Sequence, residues 1–124
     1  MEIWELVRLL LAHASGAHES FAPGKVSSRY FQHMSKSGGG LNQTFEELDE
    51  IVENLVVQLN EAELIVDADI SQGRLAILAA KQRTELGERL FTLLSQAGGV
   101  RKLEEMDLEV DKASIEAVLT EVGL

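Results

Sequence analysis

Apolar residues return along most of this chain at helical spacing, and the pattern changes only near its middle. Over residues 2–14, Ile3, Leu6, Val7, Leu10 and Ala14 recur every 3.6 residues, with Glu5, Arg8 and Ala12 on other faces, which predicts a first helix. Ser15-Gly16 ends it. Residues 17–24 carry no period and contain Pro23-Gly24, the mark of a loop. Val26, Tyr30, Phe31 and Met34 predict a shorter second helix over 26–36, with Ser27 as its cap. The run 35–42 contains Gly38-Gly39-Gly40 and predicts a flexible connection.

The third helix has the clearest signature. Thr44 and Glu47 stand in the spacing of a capping box, and Phe45, Leu48, Val52, Leu55, Val56 and Leu59 form a core stripe, with Asn60 as a left-handed C-cap. Leu64-Ile65-Val66 and Leu75–Leu78 then flank a polar Ser71-Gln72-Gly73 turn, which predicts a β-hairpin. The alanine-rich stretch 76–80 also suits a helix, so the alternative is an all-helical domain in which residues 73–96 form one long helix. Leu86, Leu90, Leu93 and Leu94 predict a helix over 84–96 that Gly98-Gly99 ends. A short turn over 100–106 follows. The last helix spans 112–122, with Asp111 at the N-cap, Ile115, Val118, Leu119 and Val122 facing inward, and Gly123 beyond its end.

Composition narrows the class. The chain has 124 residues, 45% of them hydrophobic and 26% charged, and mean hydropathy is near zero, as in an ordinary globular domain. It contains no cysteine and one proline, which excludes disulfides, thiolate metal sites and a cysteine nucleophile. No apolar run approaches the roughly 20 residues that span a bilayer. The acidic start, with Glu2, Glu5 and the interrupting Arg8, reads as a helix and not as a signal peptide. A cytoplasmic location is the expectation.

The net charge of −10 is unevenly placed. Residues 41–70 hold nine acids and no base. That excess argues against nucleic acid or an anionic membrane as a general partner.

The order helix, helix, helix, strand, turn, strand, helix resembles the winged-helix superfamily. The phrase Leu59-Asn60-Glu61-Ala62-Glu63-Leu64-Ile65 looks like a third helix entering a wing. Gly73-Arg74-Leu75-Ala76-Ile77-Leu78, followed by Thr84-Glu85-Leu86-Gly87-Glu88-Arg89-Leu90-Phe91, looks like the second wing strand and closing helix of bacterial winged-helix regulators. The resemblance implies an α+β, mostly helical fold: a winged-helix-like domain over 1–97 with a three-helix core and a β-hairpin wing, and a helical C-terminal extension over 98–124. It also implies either DNA binding through the third helix and wing, or a protein-interaction role.

The third helix departs from the DNA-binding pattern. Its outer face carries Glu46, Asp49, Glu50 and Glu53 at i, i+3, i+4 and i+7, where DNA readers place Arg, Lys, Asn and Gln. Val57 continues the row one turn on. A solvated acidic face is the plain reading; an acidic docking surface for a basic protein is the functional one. Arg29, His33 and Lys36 share a face of the second helix. With Arg74, Lys81 and Arg83 on or beside the wing, they could form a basic rim able to meet phosphates or the acidic row of a second copy.

Other motifs fail on spacing. Asp67, Asp69 and Ser71 begin like an EF-hand loop, but Gln72 stands where Gly is needed and Leu78 where Glu is needed. Pro23-Gly24-Lys25-Val26-Ser27 lacks the strand, glycine spacing and hydroxyl residue of a phosphate-binding loop. His13, His18, Glu19 and His33 do not form a metal-ligand pattern, and no local catalytic triad stands out. No cofactor, metal or catalytic residue is expected. The expectation is therefore a non-enzymatic interaction or regulatory module, with a DNA-binding winged-helix regulator as the alternative. Because the last helix and the Leu9- and Leu11-widened first helix both present broad apolar faces, a homodimer built on these two helices is expected. Burying four aliphatic side chains contributes on the order of 6–10 kcal/mol before ordering entropy, so the last helix must be covered, by a second copy or by the first helix.

Overall fold

The computed structural model describes residues 3–15, 21–36, 44–67 and 81–124. Among them the chain is α+β and mostly helical, with six helices and one antiparallel strand pair. The helices are α1 (Ile3–His13), α2 (Pro23–Lys36), α3 (Phe45–Glu61), α4 (Glu85–Ser95), α5 (Gly99–Met106) and α6 (Lys112–Glu121); the strands are β1 (Ile65–Asp67) and β2 (Lys81–Arg83).

Helix α1 sits at the centre and touches α2, α3, α4 and α5. That explains its composition. Trp4, Leu6, Val7, Leu10 and Leu11 are all buried, more than one stripe can hold, because neighbours cover the helix on several sides. Its ends are answered from far along the chain. The backbone N–H of Trp4 donates to Glu104 Oε1 at 2.6 Å, and Arg83 Nη1 donates to the Leu11 carbonyl at 2.6 Å.

The second helix begins three residues earlier than its apolar period implies. Pro23 occupies its first position, where a missing N–H costs nothing and the fixed φ suits the helix. Pro23-Gly24 therefore starts an element instead of sitting in a loop. Ser27 is not its cap: it lies fully buried inside the helix, and its hydroxyl is 2.7 Å from Asp49 Oδ1 and 3.3 Å from the Pro23 carbonyl.

The α3 capping box forms as the sequence implies. Glu47 N–H donates to Thr44 Oγ1 at 3.2 Å, and Thr44 N–H donates to Glu47 Oε1 at 3.1 Å. Leu48, Val52, Leu55 and Leu59 are buried, whereas Phe45 lies at the rim, edge-on to Phe31 of α2 at 5.8 Å. The far end corrects Asn60. The left-handed residue is Glu63, with φ of 60°, while Asn60 is helical and its side chain donates back to the Val56 carbonyl. Bonds from Glu63 N–H to Asn60 O and from Leu64 N–H to Leu59 O close a Schellman motif with Leu59 and Leu64 both buried. A non-glycine residue there costs roughly 1–2 kcal/mol. The Glu63 carboxylate pairs with Lys112 of α6 and its carbonyl accepts the Thr84 hydroxyl.

The strand pair sets Ile65 opposite Arg83, Val66 opposite Gln82 and Asp67 opposite Lys81. On the other edge of β2, Gln82 bridges antiparallel to Ser15, so the segment leaving α1 joins the same small sheet. The expected turn at 71–73, the expected strand Leu75–Leu78 and the glycine run at 38–40 lie outside the described residues. The strand at 81–83 overturns the single long helix over 73–96. Thr84 restarts the helix, its Oγ1 accepting Gly87 N–H at 3.0 Å. At Gly87 a Cβ would stand 2.1 Å from the Leu64 carbonyl oxygen, so glycine is what lets α4 cross the end of α3 closely.

The C-terminal residues complete the core. The expected turn over 100–106 is helix α5, entered through Gly98 at φ 78°; it buries Leu103 and supplies Glu104 to α1. Helix α6 starts at Asp111 as expected, the carboxylate accepting Ser114 N–H at 2.8 Å and the Ser114 hydroxyl at 3.0 Å. These bonds hold the Asp111 carboxyl below the usual aspartate range. Ile115, Val118 and Leu119 are buried in the same cluster as Trp4 and Leu10. Helix α6 packs against α4 of its own chain; of the faces expected to pair, Leu11, Ile115, Val118 and Leu119 are buried within one molecule, while Leu9 and Val122 are only partly buried.

Two outcomes follow for stability. Gly87→Ala should destabilise by about 2–4 kcal/mol, since a backbone carbonyl cannot yield, whereas Gly24→Ala, with open space around it, should stabilise by about 0.5–1 kcal/mol; thermal melts of both variants against the parent check the pair. Because folding depresses the Asp111 carboxyl, its contribution is present above the unfolded value of about 3.9 and disappears as pH falls through the lower folded value. Asp111→Ala should therefore be less stable than the parent at neutral pH, and the gap should narrow in acid, as read by urea unfolding at several pH values.

Candidate functional site

Among the described residues, the candidate side chains read from the sequence gather mainly on the outer face of α3 and at the cleft between α1 and α2. On α3, Glu46, Glu50 and Glu53 are exposed on one row with Val57, which is 54% exposed. Among the described residues no cation pairs with any of these three carboxylates. Asp49 departs from the row. It is half-buried and accepts the Ser27 hydroxyl, so it ties α3 to α2 instead of facing a partner. Of the three remaining acids, Glu46 lies in the first turn of α3, where the helix dipole favours negative charge.

The cations expected near the wing are engaged inside the chain. Lys81 Nζ pairs with Asp67 Oδ1 at 2.6 Å across the strands. Arg83 bonds Glu88 Oε1 at 2.8 Å, reaches the Leu11 carbonyl and lies over the Phe91 ring at 4.6 Å. Its place is structural: a cation at the C-terminal end of α1 also meets that helix's dipole favourably. Arg74 lies outside the described residues.

Arg29, His33 and Lys36 do share an exposed face of α2, and Lys25 extends the row by one turn. Arg29 and His33 line a cleft of about 360 Å³ with Glu5, Arg8 and Leu9 of α1 and Tyr30 and Met34 of α2. Arg8 was not legible as a site residue. It stands apart from the apolar stripe of α1, and only its i, i+3 pairing with Glu5 signals a fixed position. That pair forms, Arg8 Nε donating to Glu5 Oε2 at 3.0 Å and Nη2 to Oε1, and the contact raises the Arg8 guanidinium above its ordinary value.

His33 therefore borders a cleft, and among the described residues the only hydroxyl in its lining is the Tyr30 phenol. His13 sits elsewhere, its Nε2 accepting Ala22 N–H at 3.0 Å and its ring against Phe21. Among the described residues no group of three or more His, Asp or Glu side chains could hold a metal ion. His18 and Glu19, Asp69 and most of the EF-hand-like frame are outside those residues, and Pro23–Ser27 forms the first turn of α2. No helix of the described residues is long and apolar enough to cross a membrane.

Comparison with protein families, with curated proteins and with solved structures returns no match.

The two kinds of α3 carboxylate should separate by mutation. Asp49→Ala leaves the fully buried Ser27 hydroxyl without its closer partner and should cost about 1–3 kcal/mol, while Glu50→Ala should change stability by less than about 0.5 kcal/mol. Chemical denaturation of both variants reads the difference directly.

Proposed function

We propose that the chain is a winged-helix-like, non-enzymatic module that docks a basic protein surface on the outer face of α3. Three helices followed by an antiparallel pair, with Ser15 joining the second edge of β2 and α4 closing behind, support the winged-helix layout. The observation that carries the docking reading is the row Glu46, Glu50, Glu53: exposed, without a cation among the described residues, and continued by the exposed Val57. A partner with Lys or Arg around a small apolar contact complements it in charge and in hydrophobicity.

The same row opposes use of α3 on DNA. Each carboxylate held about 4 Å from a phosphate costs about 1 kcal/mol even at the dielectric of water. The nearest strand cations, Lys81 and Arg83, are tied to Asp67, Glu88 and Leu11 and do not offset it. Much of the apolar surface of α1 and α6 packs within the chain, which favours α3 over those helices as the docking surface.

Two measurements test the reading together. A triple variant, Glu46→Gln, Glu50→Gln and Glu53→Gln, should fold like the parent by circular dichroism. It should lose the proteins that the parent retains from native extract, and the parent should lose them as salt rises. In parallel, the parent should bind random duplex DNA more weakly than about 100 µM at about 50 mM salt. Micromolar DNA binding with a steep salt slope would establish the DNA-regulator alternative instead, and unchanged capture by the triple variant would remove α3 as the docking face.

A further inference from the structure

The cleft between α1 and α2 has the composition of a ligand site, and nothing in the α3 reading uses it. We propose that it binds a small organic carboxylate with an apolar body. Its volume of about 360 Å³ lies at the compact end of the roughly 300–1,000 Å³ usual for small-molecule sites. The buried Tyr30 and the partly buried Leu9 and Met34 supply an apolar wall. Arg29 and His33, one turn apart on α2, border the same space as Arg8 from α1.

The charge arrangement selects the ligand. Among the described residues Glu5 is the only acid in the lining, and it is already bonded to Nε and Nη2 of Arg8. Among the described residues no acid pairs with the Arg29 guanidinium, and in a chain of net charge −10 this makes a local cationic spot on an anionic protein. A guanidinium fork matches one carboxylate in a bidentate pair, and His33 has an N–H to donate in either protonation state. The paired Arg8 closes the far side, held in position by Glu5. One guanidinium left for a ligand beside apolar side chains suits a monoanion carrying a ring or short alkyl chain. It is too little cation and too much hydrocarbon for a phosphate dianion.

The test uses the whole chain and 3-phenylpropionate as probe, followed by amide NMR shifts at low salt. Saturable shifts should map to the amides around Leu9 and Arg29–Met34, with a Kd on the order of 1 mM or tighter. The neutral 3-phenylpropionamide, equal in shape, should bind at least roughly tenfold more weakly, because the guanidinium loses its ionic partner. Inorganic phosphate should not compete. Arg29→Gln removes an exposed side chain and should leave the melting temperature unchanged while weakening the probe roughly tenfold. Shifts that stay linear to about 10 mM, shifts mapping to another surface, equal binding of the amide, competition by phosphate, or indifference to Arg29→Gln would each overturn the proposal. None of these readouts involves Glu46, Glu50 or Glu53, so failure here leaves the α3 reading standing, and failure of that reading leaves the cleft.

Discussion

The rest of the structure hangs on how the two ends of α1 are satisfied. A helix leaves N–H groups unpaired at its start and carbonyls at its finish, and α1 is too deeply packed for water to serve both. Glu104 of α5 answers the N-terminal end through Trp4, and Arg83 of β2 answers the C-terminal end at Leu11. Each charge also has the sign that the helix dipole favours at its position. The partners are 100 and 72 residues away in sequence, so the first helix is complete only when the C-terminal half has folded onto it. The same requirement explains why Leu103, Ile115, Val118 and Leu119 share one cluster with Trp4 and Leu10.

This arrangement divides the charges by role. Arg83 serves α1, Lys81 serves the strand pair, Arg89 reaches the Leu124 carbonyl at 2.6 Å, and Lys112 meets Glu63. These four cations thus hold elements together, while Glu46, Glu50 and Glu53 of α3 face outward. Glu46, Glu50 and Glu53 thus make a carboxylate row with no cation among the described residues. A face of that kind repels polyanions and attracts basic proteins at long range. The cationic cleft on the other side of α2 is local, built from Arg8, Arg29 and His33, and it coexists with the acidic face because α2 separates the two.

The motifs that are short in sequence read correctly because their physics is short-ranged. Thr44 and Glu47 form their box, Asp111 caps α6, Gly123 ends it at φ 80°, and the 3.6-residue stripes of α1, α3, α4 and α6 mark buried faces. Each depends on groups within one or two helical turns. Readings that failed concern neighbours. Pro23 was legible as a helix opener only once the helix was seen to begin there, and Asn60 lost the left-handed position to Glu63, which Lys112 steadies from another helix. Helix α5 carries Val100, Leu103 and Met106 at helical spacing, but it is only eight residues long and buries only Gly99 and Leu103; contact with a prepared core stabilises what so short a segment alone would leave as a turn.

For the candidate sites the division is sharper. The sequence by itself determined that acids gather on one face of α3 and that Arg29 and His33 share a face of α2, since helical spacing places residues relative to their own axis. Only the tertiary structure decided that Asp49 belongs to Ser27, that Lys81 and Arg83 are not free, and that Arg8 meets Arg29 and His33 across a cleft. Likewise, the apolar stripe of α6 announced that something must cover it, but not that α4 would. The physical reason is common to all of these. A helix or strand pattern specifies which face is apolar or charged, whereas the identity of the group opposite that face depends on packing between segments tens of residues apart, for which periodicity carries no term.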